Sequence, residues 1–92
     1  MEYDLYTVPR CDECNSVKQF FDSKGIKYNI YNLREQTLEQ KKDFGKICSY
    51  FGPKIKREVK HNYAIAPLLV RKKDNKLEDF AQGFEDITKL FN

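Results

Sequence analysis

Two cysteines, Cys11-Asp12-Glu13-Cys14, lie between an apolar run that reads as a first strand (Tyr3 to Val8) and a run that reads as a helix (Glu13 to Lys24). No other feature narrows the possible folds as much. Thiols one helical turn apart can close into a disulfide and reopen without rebuilding the chain, which suits reversible redox chemistry. At a helix start the first N–H groups lack intrahelical partners, and the partial positive charge there favours a thiolate. Cys11, nearer the N-terminus and expected to be the more exposed sulfur, is the expected nucleophile, and Cys14 the resolving thiol.

Half a zinc site has the same C-x-x-C spacing, so the remaining ligand candidates matter. They are Cys48 and His61, which do not form a second metal-like pair. Cys48 falls on the apolar stripe of a second helix and reads as a core thiol, while His61 sits in a charged segment and reads as solvated. With three cysteines, an odd count, and the pair beside a βαβ pattern, a redox pair in a reducing compartment is the expectation. No metal is expected.

The 92 residues, 40% hydrophobic, suffice for one domain spanning 1–92 with a single core. A net charge of +3 is too mild for a nucleic-acid binder, and the aromatic residues fall at core-stripe positions instead of alternating with basic ones. No window reaches the roughly 18 apolar residues of a membrane span, and the N-terminus has no signal-peptide core. A cytoplasmic monomer, bound to neither membrane nor nucleic acid, is expected. Lys41, Lys42, Lys46, Lys54, Lys56, Arg57 and Lys60 read as solvated faces, or as charges that draw in anions.

Tyr3 to Val8 is rich in aromatic and branched residues, as a strand requires, and Pro9 stops its ladder. Cys14, Val17, Phe20 and Phe21 recur at helical spacing, and Gly25 supplies the stop. Ile26 to Ile30 alternates, with Ile26, Tyr28 and Ile30 on one face, and reads as a second strand that ends near Asn32 or Leu33. Thr37 and Gln40 have the spacing of a capping box, opening a helix with the stripe Phe44, Ile47, Cys48 and Phe51 and ending at Gly52-Pro53. Lys54 to Tyr63 fits either a short helical turn, with Ile55 and Val59 four apart, or a loop. Leu68 to Arg71 reads as a central strand, Asp74-Asn75 as a turn, and Lys76 to Phe80 as a short last strand. Gly83 then precedes a helix with the stripe Phe84, Ile87, Leu90 and Phe91.

This order, βαβα then ββα with a C-x-x-C at the first strand-to-helix junction, resembles the glutaredoxins, the minimal thioredoxin fold. Two further motifs carry the resemblance. Ile65-Ala66-Pro67 stands where the family has Thr-Val-Pro, and Gln82-Gly83-Phe84-Glu85-Asp86 where it has Gly-Gly-x-x-Asp. The implied fold class is α/β, with a four-stranded mixed sheet flanked by helices. The resemblance also implies a cis Pro67 whose loop lies against the cysteines and turns Ala66 toward an extended peptide such as glutathione. The amides of Phe84 and Glu85 after Gly83, with the Asp86 carboxylate, would meet the γ-glutamyl end of glutathione.

By the same resemblance the chain is a thiol–disulfide oxidoreductase. Its partners would be glutathione, as reductant, and disulfide-containing or glutathionylated proteins, with no cofactor permanently bound. The departures from the pattern are as informative as the matches. Asp12 and Glu13 replace the common Pro-Tyr and disfavour a thiolate, Val8 replaces a lysine whose charge Arg10 can supply, and Ile65 and Gln82 replace Thr and Gly. They keep open a donor recharged by thioredoxin reductase, for example to ribonucleotide reductase. A redox-sensing or iron–sulfur-binding module also remains open. The arsenate reductase and Spx-like relatives of this fold are longer, with an insertion for which there is little room here.

Overall fold

The computed structural model describes residues 1–92. Strand β1 (Glu2–Thr7) leads through Cys11 into helix α1 (Asp12–Lys24), then β2 (Asn29–Asn32), α2 (Leu38–Phe51) and a 3₁₀ turn (Gly52–Lys54). After a long loop come β3 (Leu68–Lys73), β4 (Lys76–Gln82) and α3 (Phe84–Lys89). The sheet order is β2-β1-β3-β4, with β2 parallel to β1, and β1–β3 and β3–β4 antiparallel. This is the expected α/β class with a mixed four-stranded sheet.

The period-2 alternation of the strands divides the interior in two. Leu5 and Leu69 join Val17 and Phe21 of α1 and Ile87 of α3 on one face. Tyr6, Leu68 and Val70 meet Ile47 of α2 and Ile55 on the other. Both central strands are therefore buried on both sides, and the helices are held by apolar stripes rather than by their own propensity. Asp4 is buried on β1 but not unpaired: Lys72 Nζ lies 2.8 Å from its Oδ2, and Asn29 Nδ2 donates to Oδ1 at 2.9 Å.

Local signals act as their chemistry requires. Thr37 Oγ1 accepts from Gln40 N–H while Gln40 Oε1 accepts from Thr37 N–H, a complete capping box. Asp74 and Asn75, both at positive φ, form the tight turn between β3 and β4.

Several expectations shift, β4 running on to Gln82 among them. β2 begins at Asn29, not Ile26, because Gly25 is left-handed and Ile26 N–H still bonds back to Phe21 C=O, so the helix stop uses that residue. Tyr28 packs on Phe21, whereas Ile30, on the sheet edge, is about half exposed. The open choice at Lys54 to Tyr63 resolves as a loop. Its arms bond to each other, Ile65 N–H to Lys56 C=O and Glu58 N–H to Tyr63 C=O, so Ile55 is buried and Val59 is wholly exposed at the tip.

Candidate functional site

β1 ends at Thr7, and Arg10 takes a left-handed turn (φ 57°) that delivers Cys11 to the N-cap of α1. There the Cys14 N–H donates to Cys11 Sγ at 3.1 Å, and the two sulfurs are joined with Cα atoms 5.2 Å apart. Cys11 is half-buried and Cys14 is buried, only 1% exposed. The cause is the helix's own periodicity, since Cys14, Val17 and Phe21 form the inward stripe. Cys11 therefore keeps surface open to solvent and Cys14 does not.

The Ala66–Pro67 peptide bond is cis. Pro67 C=O accepts from Gly83 N–H at 2.9 Å, and the next amide, Phe84 N–H, donates to Glu13 Oε1 at 3.1 Å. The three sequence motifs thus converge in space, with Glu13 of the cysteine motif bonded to the Gly83-Phe84 corner and that corner bonded to the proline loop. Ala66 is half-buried, and neither its N–H nor its C=O has an intramolecular hydrogen bond. In the bend before β3 it therefore presents unpaired backbone groups. Glu85 and Asp86 are exposed in the first turn of α3, Glu85 within 3.4 Å of Lys89 Nζ. Arg10 is exposed and makes no ion pair, so it does not neutralise Asp12 or Glu13 through direct contact.

A groove of about 440 Å³ opens between α2 and the long loop, with Ala64, Tyr63, Arg57, Lys41, Gln36 and Cys48 on its walls. Ala64 brings it to within two residues of Ala66 in the chain. Cys48 is half-buried here rather than a closed core thiol: Ile47 points into the sheet, and the next helical position faces the loop. His61 is exposed, its ring 5.7 Å from that of Tyr63. No three His, Cys, Asp or Glu side chains converge into a metal-binding group. No helix is long and apolar enough to cross a membrane.

Two contacts at the site were not legible from spacing. Gln82 Oε1 accepts from Lys56 N–H at 2.7 Å, while its Nε2 donates to the carbonyls of Lys56 and Ile65 at 2.9 and 3.0 Å. It splints the residues leading to the cis proline onto β4. The other is the Glu13–Phe84 bond, whose partners are 71 residues apart. In both cases the only sequence signal is an unusual residue at a motif position.

The shifted titrations lie away from the cysteines. Burial raises the Tyr6, Tyr28 and Tyr31 hydroxyls. The hydrogen bonds that Arg71 donates to the Asp79 carboxylate raise Arg71, and in Lys72 the Asp4 hydrogen bond and charge together outweigh the lowering effect of burial.

The glutaredoxin family model matches residues 4–47, from β1 through most of α2. A glutaredoxin from Archaeoglobus fulgidus superposes with a TM-score of 0.58 at 18% identity, over 99% of this chain and 86% of that one. The chain has the glutaredoxin fold. Glutaredoxin 1 from Francisella tularensis gives a TM-score of 0.53 at 18% identity, over 96% of this chain and 88% of that one. No curated protein matches the sequence. The glutaredoxin likeness therefore rests on the family match to the cysteine-bearing half and on a fold shared along nearly the whole chain.

Proposed function

We propose that this glutaredoxin-like chain is a dithiol thiol–disulfide oxidoreductase that reduces protein disulfides or glutathione mixed disulfides and is recharged by glutathione. The observation that carries this reading is the unequal burial of the two cysteines, Cys11 half-buried with its Sγ accepting an amide hydrogen bond, Cys14 buried. The Cys11 thiolate attacks one sulfur of the substrate disulfide. The other leaves as a thiolate and takes a proton. Cys14, deprotonated, then attacks Cys11 Sγ and expels the first substrate sulfur, so the substrate gains two electrons and the pair loses two. One glutathione reopens the pair as a mixed disulfide on Cys11, and a second carries the oxidising equivalents away as glutathione disulfide.

The free N–H and C=O of Ala66, beside Pro67, suit pairing with an extended substrate peptide. Lys41 and Arg57 on the adjoining groove favour carboxylates. Gly83, Phe84, Glu85 and Asp86 would receive the γ-glutamyl end, with Arg10 contributing charge. A second reading, a donor served by thioredoxin reductase, is favoured by one contact. The Phe84 amide is already bonded to Glu13.

The test is turnover of a glutathione mixed disulfide, supplied in parallel with glutathione plus its reductase or with thioredoxin reductase and thioredoxin. Turnover with glutathione supports the first reading. Turnover only with the reductase system replaces it with the second, and no turnover with either refutes both.

A further inference from the structure

Glu13 lies in the first turn of α1 between the two cysteines, exposed, with its Oε1 accepting the Phe84 N–H at 3.1 Å. Beyond Gly83 and its two chain neighbours, the same oxygen is the only atom within 4 Å of the position a Cβ would take on Gly83, at 3.7 Å. One carboxylate therefore both engages this amide and covers the Gly83 backbone next to the proline loop. Asp12 and Asp86 are also exposed on these two elements, and neither they nor Glu13 forms an ion pair. Lys41 and Arg57 line the groove on the α2 side, in the other half of the interior. Lys54 and Lys56 line a hollow with Asp86, and Arg10 is exposed next to Cys11, so the negative charge fixed at this corner is that of the Glu13 carboxylate on the Phe84 amide.

We infer that Glu13, a carboxylate fixed on the Phe84 amide beside the cysteine pair, sets the charge class of thiol that the Cys11–Cys14 disulfide accepts. This deepens the oxidoreductase reading and rests on it. Like charges at close range repel, and a hydrogen-bond donor already taken offers an incoming carboxylate nothing in return. Neutral and cationic thiols meet no such barrier. Glu13 acts here as a selectivity residue and does not exchange electrons.

The experiment measures the rate at which glutathione (anionic), 2-mercaptoethanol (neutral) and cysteamine (cationic) reduce the oxidised protein. Each rate is normalised to the same thiol's rate with an uncharged small disulfide. The parent should rank cysteamine above mercaptoethanol above glutathione, with the spread narrowing as salt is added. Glu13→Gln keeps a side-chain oxygen for Phe84 and removes the charge. It should raise the glutathione rate about fivefold, the worth of one charge pair at about 4 Å in water, and lower the cysteamine rate. The mercaptoethanol rate carries any effect of the lost charge on the cysteine thiolates, so the glutathione and cysteamine changes are read as ratios to it. A variant that changes all three rates by one factor overturns the inference, because Glu13 would then act on the cysteines themselves. Unchanged ratios overturn it as well. A parent disulfide that none of the three thiols reduces refutes the oxidoreductase reading, a result distinct from either.

Discussion

Replacing Gln82 by alanine removes three hydrogen bonds that join β4 to the backbone of Lys56 and Ile65, just upstream of the cis Ala66–Pro67 bond. A net hydrogen bond contributes about 0.5–1.5 kcal/mol, and these three lie where water can partly replace them, so the low end applies. The expected loss is about 1.5–2 kcal/mol, or roughly 10 °C in Tm for a domain of this size. Gln82→Glu separates bonding from packing. It keeps the volume and the acceptor for Lys56 N–H but sets a carboxylate oxygen against two carbonyls, so it should lose at least as much as alanine. Urea melts of the three proteins give the free energies, and amide hydrogen exchange at Lys56 reports the local bond. Because the splint holds the segment that presents Ala66, turnover should fall in both variants while the Cys11–Cys14 pair still forms. If Gln82→Glu melts within 0.5 kcal/mol of the parent and Lys56 exchanges no faster, the bonds are interchangeable with water and the reasoning fails.

Cys11→Ser should abolish turnover, whereas Cys14→Ser should retain activity on glutathione mixed disulfides, because only the cysteine open to solvent makes the first attack; equal loss from both would contradict the assigned roles. Burial, with the Asp4 charge next, raises the Tyr6 hydroxyl, and burial raises Tyr28 and Tyr31 too. Their folded values lie above the unfolded value of about 10, so this stability is complete below about pH 10 and is lost as pH rises toward the folded values. Tyr6→Phe should therefore flatten the decline in urea midpoint between about pH 9 and 11, and a decline as steep as the parent's would rule the account out.

Much of the fold was readable from local chemistry. The helical stripe Cys14, Val17 and Phe21, the left-handed stop at Gly25, the Thr37–Gln40 capping box and the Asp74-Asn75 turn each act within a few residues, and each is present. The same stripe explains why Cys14 is buried and Cys11 is not, so the asymmetry of the pair was implicit in the order of residues.

What local pattern could not supply was the pairing of distant segments. Ile55 and Val59 have helical spacing, yet the arms of their loop bond across to each other, and the tertiary competition for backbone partners decides the outcome. Ile26 has a strand's residue type but is used by the helix stop, while Cys48 has a core position but faces a groove whose far wall is the loop. Glu13 reaches Phe84, and Gln82 reaches Lys56 and Ile65, only because β1, β3 and β4 bring their ends to one side of the sheet. The sequence by itself determined the elements and the chemistry of the cysteine pair, since both depend on neighbours a turn or less away. The tertiary structure alone decided which polar groups around that pair are taken and which remain free, because a hydrogen bond between residues 71 apart has no period to reveal it.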